Sequence, residues 1–275
     1  MKLKKDYGAA SSKGKVRSKN EDSILLSRKL DLIAVADGMG GHRGGEIASK
    51  MATDTIKQIL LDIDAKIITN KHKSKTMSAV ANNLLLAFKH ANLRILNSSH
   101  KDSKHKGMGT TLTAALVHED RVCIAHTGDC RGYLYRKNTL SQITTDHSLV
   151  NEHLQKGVMT SKQAKNSKVH HILTQALGVV KNPRFDILEL PVNVGDILLL
   201  CSDGLFKQLK DEKIAKILSL DTTAQTVCRK LVEEANNAGG GDNISVAAVK
   251  FHPPSIANEI GHKIKKLLNT RNNGQ

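Results

Sequence analysis

Four short apolar runs in this chain each abut an aspartate. Leu32-Ile33-Ala34-Val35-Ala36 ends in Asp37-Gly38, and Val122-Cys123-Ile124-Ala125 leads through His126-Thr127-Gly128 to Asp129. Ile197-Leu198-Leu199-Leu200-Cys201-Ser202 ends in Asp203-Gly204, whereas the fourth run, 244–249, starts directly after Asp242-Asn243. Runs of this length and aliphatic content read as buried strands. A strand end holds its last side chain rigidly at the rim of a sheet. Several carboxylates converging at one rim repel each other unless a cation sits between them. The pattern therefore points to hard divalent ions, which prefer oxygen ligands. The plainer alternative is turn chemistry, because Asp and Gly both tolerate unusual backbone angles. It accounts for any one of the four sites more easily than for all four.

The chain has 275 residues, enough for one large domain. Its 39% hydrophobic content supports a real core, and with 3% aromatics and no Trp that core must be aliphatic. No apolar run approaches a membrane span. The basic start Met1-Lys2-Leu3-Lys4-Lys5 runs into Asp6 and Gly8, not into the hydrophobic stretch of a secretory signal. Cys123, Cys130, Cys201 and Cys228 show no Cys-x-x-Cys spacing, and two of them lie inside apolar strands. Reduced, buried thiols and a cytoplasmic location are expected. The net charge of +16 favours acidic partners: phosphoproteins, nucleic acid or an anionic membrane surface. Aromatics for base stacking and the usual nucleic-acid motifs are missing, so nucleic acid is not expected as a partner.

Along the chain, residues 7–37 read as two short strands joined by Arg28-Lys29-Leu30-Asp31. Gly44-Gly45 opens a helix with an apolar stripe of Ile47, Met51, Ile56, Ile59 and Leu60. Residues 66–75 form a polar connection, 77–96 a second amphipathic helix and 100–109 a basic loop. The runs 110–117, 121–126 and 132–136, with tight turns between them, predict an antiparallel meander. Residues 146–182, rich in Lys and His, form an excursion from the sheet. Strands are expected at 185–190, 196–202 and 244–249, and helices at 213–218 and 224–235. Pro253-Pro254 then breaks the chain before a basic amphipathic helix at 256–268. One domain, 1–252, followed by a basic tail, 253–275, is the expected organisation.

Carboxylates without thiolates or regularly spaced His argue against zinc and for Mn²⁺ or Mg²⁺. Two such ions about 3.5–4 Å apart can share a bridging hydroxide, a strong nucleophile at neutral pH. An arginine completes such a site by gripping phosphate oxygens with its planar fork. Phosphoryl transfer needs little beyond this positioning and charge compensation.

Further motifs stand in order around the aspartates. They are Arg17-Ser18-Lys19-Asn20-Glu21-Asp22-Ser23, Ala36-Asp37-Gly38-Met39-Gly40-Gly41-His42, Gly109-Thr110-Thr111 and Gly128-Asp129-Cys130-Arg131. Thr145-Asp146-His147-Ser148, Leu173-Thr174-Gln175-Ala176-Leu177-Gly178, Ser202-Asp203-Gly204-Leu205 and Gly241-Asp242-Asn243-Ile244 follow. Each is weak alone, but their joint order and spacing are highly specific. From about residue 8 to 249 the chain resembles the bacterial metal-dependent protein phosphatases of the 2C (PPM) type.

The resemblance implies an α+β fold, a four-layer αββα sandwich of two antiparallel sheets flanked by helices, with metals in a cleft at one sheet edge. It implies a protein serine/threonine phosphatase in which Asp37, Asp203 and Asp242 are catalytic. Asp37 would bridge both ions, with the Gly38 carbonyl also a ligand, while Asp203 and Asp242 hold the first ion. Asp129, with Asp203, would hold a third, weaker ion seen in bacterial members. Glu21 lies where the family has a carboxylate on or near the second ion, Asp22 would support the ligands from behind, and Arg17 would bind the substrate phosphate. Met39 stands where animal members carry the His assigned to leaving-group protonation. It cannot donate a proton, which leaves His42 or a metal-bound water. Cys130 replaces the family's Ser and has a packing role as its simplest reading. His147, His153, His170 and His171 are spaced too irregularly for a metal site and read as structural or solvated. Residues 146–182 correspond to the family's flap beside the active site. The expected partners are acidic phosphoproteins, the chain is expected to be a monomer, and the tail offers peripheral membrane contact. A catalytically silent phosphoprotein-binding regulator and a small-molecule phosphatase are the competing readings.

Overall fold

The apolar runs are continuous because each strand is buried on both faces. In the strand that spans 244–252, Ile244, Val246 and Ala248 face one cluster of buried side chains, while Ala247, Val249 and Phe251 face another. Leu32, Ala34 and Ala36 alternate in the same way with Ile33 and Val35. Period-two alternation is therefore hidden, since both sets of positions are apolar. The computed structural model describes residues 3–40, 44–66, 74, 76–101, 105–165, 167, 169 and 172–254.

The elements run β1 (Lys4–Ser12), β2 (Asp22–Ser27), β3 (Leu32–Met39), α1 (Gly44–Asp64), α2 (Ala79–Lys101), β4 (Gly109–Thr110), β5 (Leu112–His118), β6 (Arg121–Thr127), β7 (Arg131–Arg136) and β8 (Thr139–Gln142). After these come α3 (Leu149–Gln155), α4 (Ser161–Lys165), β9 (Asp186–Pro191), β10 (Ile197–Cys201), α5 (Asp203–Phe206), α6 (Asp211–Leu218), α7 (Ala224–Asn237) and β11 (Ile244–His252). One sheet has the order β1-β11-β10-β7-β8 and the other β2-β3-β5-β6-β9, with β4 against β3. All of these pairings are antiparallel. Helices α1 and α2 cover the second sheet through Ala48, Ala52, Ile56, Leu84, Phe88 and Ile95. Helices α6 and α7 cover the first through Ile214, Ile217, Val227 and Leu231. The sheets meet over Ile33, Val35, Ile124, Leu198, Leu200 and Val249. The result is a four-layer αββα sandwich.

Antiparallel pairing explains why the fourth aspartate precedes its strand. Cys201 at the carboxyl end of β10 lies opposite Val246, and Ser12 at the end of β1 lies opposite Ile244. The end of β10, the end of β1 and the beginning of β11 therefore share one edge. In the other sheet Asp22 opens β2 directly opposite Asp37 near the end of β3, and Leu112 lies opposite Thr127. Ser202 Oγ donates to Asp22 Oδ2 at 2.8 Å and so ties the two edges together.

The structure departs from the sequence reading in several places. Residues 7–37 contain three strands, because β1 joins the far sheet and only β2 and β3 form the hairpin at Arg28–Asp31. The meander is broken: β5 pairs with β6, but β7 crosses to the other sheet beside β10. Gly128, with φ +103°, stands in the crossing between them. A side chain's worth of space at Gly128 is already filled by Thr111, whose Cβ is 2.5 Å from where one would sit. Strand β8 and helix α5 were not foreseen, and α2 extends to Lys101. The excursion at 146–182 does leave the sheet, carries α3 and α4, and is pinned by bridges from Ser148 to Leu173 and from Thr110 to Leu177. The expected tail helix at 256–268 lies outside the described residues, as do His42, His170 and His171.

Candidate active site

The shared edge opens into a cleft of about 510 Å³ lined by Asp37, Asp129, Asp203 and Asp242 together with Glu21, Arg17 and Lys207. Every site residue expected from the sequence lines this cleft except Asp22, which lies behind its floor. Asp37 is fixed by its backbone. Its amide donates to Thr111 Oγ1 at 2.9 Å, and its carbonyl accepts from Thr110 Oγ1 at 2.8 Å and from the Thr111 amide at 2.9 Å. Gly38 admits no side chain, because a Cβ there would lie 2.1 Å from the Gly45 carbonyl oxygen. Gly45 in turn sits against the Gly38 carbonyl oxygen and Glu21 Oε2, at 2.8 and 2.5 Å from the position its own Cβ would take. These two oxygens thus occupy one corner of the cleft. The opening of α1 with two glycines is what allows that approach.

Asp203 is the first residue of α5, and Gly204 lets the helix press on β11: a Cβ there would meet the Asn243 carbonyl oxygen at 2.0 Å. Asn243 is the clamp that the sequence reading passed over. Its Oδ1 accepts from the Glu21 amide at 2.8 Å, and its Nδ2 donates to the carbonyls of Lys13 and Lys19 at 2.9 and 2.8 Å. It therefore holds the loop that carries Arg17. Arg17 embraces Asp242 with Nε at 2.8 Å from Oδ1 and Nη2 at 2.9 Å from Oδ2, a two-pronged pairing suited to a planar fork.

Electrostatics mark this floor as short of positive charge. Burial, then the charges of Asp22, Asp203, Asp129 and Asp242, push the Asp37 carboxyl well above the usual carboxylate range. Asp22 is pushed up to about 7, chiefly by burial, against the hydrogen bonds from Ser202 and Ser245. Asp129 also rises to about 7, through burial and then Asp203 and Asp146. Glu21 is raised by burial. Asp22 Oδ1 and Asp203 Oδ1 are buried without a hydrogen-bond partner. Orphaned carboxylate oxygens among mutually repelling carboxylates are what an oxygen-ligated divalent cation would satisfy, so the donor set fits Mn²⁺ or Mg²⁺. As the side chains stand, no three acidic, His or Cys side chains among the described residues close on one point. Two of the carboxylates are turned instead to cations, Asp242 to Arg17 and Asp203 to Lys207.

Lys207 is the other residue the sequence reading missed. Its signal was the spacing of four from Asp203, meaningful only once 203–206 is known to be helical. Met39 lines the cleft. Cys130 is buried beneath it, with Sγ 3.0 Å from Thr111 Oγ1, and burial raises its thiol well above the ordinary value, which keeps it inert. His147 is structural. Its Nδ1 lies 3.2 Å from the Gly128 amide that donates to it, its Nε2 lies 3.0 Å from Asp186 Oδ2, and its ring packs on His126.

Residues 11–238 match the model of a family described as "Protein phosphatase 2C". The serine/threonine phosphatase Stp of Listeria monocytogenes serotype 4b is 35% identical over 241 residues, covering 86% of this chain and 92% of that protein. The crystal structure of the Mycobacterium tuberculosis serine/threonine phosphatase PstP/Ppp superposes with a TM-score of 0.79 at 31% identity, covering 91% of this chain and 99% of that one. The catalytic domain of PstP in complex with two manganese ions gives a TM-score of 0.76 at 32% identity, with coverage of 91% and 99%.

Proposed function

The chain belongs to the protein phosphatase 2C family and is a metal-dependent serine/threonine protein phosphatase, and we propose that Asp37, Asp203 and Asp242 are the carboxylates that hold its ions. The observation that carries this assignment is the cluster of part-buried, mutually repelling carboxylates on the cleft floor, with Asp203 Oδ1 buried and unpartnered. The Gly38 carbonyl and Glu21 supply the oxygens of the second corner, and Asp22 supports Asp37 from across the β2–β3 pair. A third, weaker ion at Asp129 and Asp203 would have to displace the Lys207 ammonium. When bound, Mn²⁺ or Mg²⁺ activates water as the nucleophile and neutralises the phosphoryl charge.

The protein's own groups position the substrate. Arg17 exchanges Asp242 for the phosphate oxygens, a swing open to it because its side chain is 58% exposed. Met39 carries no ionisable proton, so the proton for the leaving serine or threonine oxygen comes from a metal-bound water or from His42. The substrates are phosphoproteins, and the basic surface selects those with acidic residues around the phosphate. No helix among the described residues is long and apolar enough to cross a membrane. In this reading residues 1–252 are the catalytic domain of a cytoplasmic monomer, and 253–275 is a basic tail that touches acidic or membrane surfaces. Turnover of phosphothreonine peptides with Mn²⁺, with Mg²⁺ and in chelator tests the core of it. Activity should require either ion, and full activity in chelator would overturn the metal assignment.

A further inference from the structure

Helix α5 is a single turn that starts on Asp203 and is capped by Lys207. A spacing of four brings a lysine back over an acid at the start of a helix. Lys207 Nζ donates to Asp203 Oδ2. Lys207 also lines the cleft beside Asp129, where its charge offsets the push of Asp203 and Asp146. The nearby arginines are committed elsewhere, Arg17 to Asp242. Arg131 is bound to Asp146 by Nε at 3.1 Å from both oxygens and by Nη2 at 2.7 Å from Oδ2, and it is stacked 3.7 Å over Phe206. The oxygens of Asp203 are thus divided: Oδ2 holds the ammonium, and Oδ1 is buried and unpartnered.

We propose that the Lys207 ammonium occupies the position between Asp203 and Asp129 that would otherwise take a third divalent ion, so that this protein carries two ions and one tethered cation. The inference rests on the two-ion reading above. With Asp203 Oδ1 given to the ion pair, a third ion would have to share Oδ2 with the ammonium, and their like charges would exclude each other at that distance. An ammonium is a compact point charge with three donors, able to bridge two carboxylates without fixed geometry. It is also held by the chain, so no concentration of free metal is needed to keep it in place. Asp203 Oδ1 stays available to the ion pair.

Counting bound Mn²⁺ by electron paramagnetic resonance and by calorimetric titration tests this apart from activity. The wild-type chain should bind two ions. Lys207→Met, which keeps the stem and removes the charge, should bind a third at least about tenfold more tightly than any third event in the wild type. Lys207→Arg should stay at two. Three ions in the wild type with the affinity seen in Lys207→Met would overturn the role of Lys207 alone, as would a Lys207→Met protein that still binds only two. Fewer than two ions in the wild type would overturn the two-ion reading and this inference with it. If Lys207→Met does not fold, anomalous scattering from Mn²⁺-soaked wild-type crystals decides. Two peaks with Lys207 on Asp203 support the proposal, and a third peak beside Asp129 with Lys207 turned away overturns it.

Discussion

At Asp37 activity and stability oppose each other. Its carboxyl, like those of Asp22 and Asp129, is raised by burial and by its neighbours. A native carboxyl with a raised pKa binds more protons than its unfolded counterpart between the two values. Asp22 and Asp129 therefore add stability as pH falls from about 7 toward the ordinary carboxylate value near 4, and Asp37 acts in the same direction from its own raised value. His126 works the other way. Burial lowers it to about 4, so its contribution is full above about 6.5 and is lost as pH falls toward 4. Comparison with Asp37→Asn cancels His126, which both proteins share. Without metal, the variant should melt above the wild type at about pH 8, and the gap should shrink by about pH 5. Mn²⁺ should reverse the order by binding the intact site, and turnover of the variant should fall about a thousandfold or more. Thermal melts at the two pH values, with and without Mn²⁺, check this; a metal-free variant less stable than the wild type at about pH 8 contradicts it. Arg17→Ala should raise KM about tenfold with little change in kcat, and Arg17→Lys should not restore it, because a point charge cannot replace the fork. Steady-state kinetics separates the two parameters. Asp37, Asp129, Asp203 and Asp242 were legible because each abuts an apolar run. Lys207 was not, because its meaning depends on a helix of one turn.

At the scale of elements, pairs of glycines and backbone carbonyls set the spacing of the ligands. Gly204→Ala places a Cβ 2.0 Å from the Asn243 carbonyl oxygen, and a backbone atom cannot swing aside. Helix α5 and the start of β11 must separate, which moves Asp203 away from Asp242. The expected cost is about 2–4 kcal/mol of stability, with Mn²⁺ affinity reduced as well. Gly157→Ala is the contrast: its Cβ meets nothing within 4 Å, but φ is +68°. It should cost about 1–2 kcal/mol through backbone strain alone and leave Mn²⁺ affinity unchanged. Urea unfolding and Mn²⁺ titration of the two variants distinguish the effects; equal losses of Mn²⁺ affinity would refute the spacing argument. Strands β3, β6, β10 and β11 could be read in advance, since doubly buried strands are unbroken apolar runs. Strand β8, Thr139–Gln142, could not, because it is an edge strand with three exposed residues and no apolar run. The crossing of β7 to the far sheet was hidden for another reason. The three-residue connection 128–130 looks the same in sequence whether it folds a hairpin or changes sheets, and the packing of Gly128 on Thr111 that accompanies the crossing is a contact between residues distant in the chain.

For the whole molecule the dominant fact is a net charge of +16 around a cleft whose floor is acidic. The tail contributes Lys263, Lys265, Lys266 and Arg271 against Glu259, so most of the excess belongs to residues 1–252. Catalysis and charge steering should therefore both survive in a chain ending at His252, because the last strand, β11, is complete at that residue. A truncated protein that stays folded but loses turnover would show that the tail completes the site. Phosphorylated substrates bring a dianionic group, and acidic flanking residues add to it. A positive field raises the rate of encounter without altering the chemical step. Salt screens such a field within about 8 Å at physiological ionic strength. For a phosphothreonine peptide flanked by Asp and Glu, kcat/KM should fall as salt rises while kcat stays nearly constant. A Lys-flanked peptide should be poorer at low salt and should converge on the acidic one at high salt. Equal kcat/KM for the two peptides at low salt would mean that the charge does not serve substrate capture. The truncated chain then locates the field. If its salt dependence matches that of the full chain, the steering comes from the domain surface, and the tail is left to contact some other acidic surface.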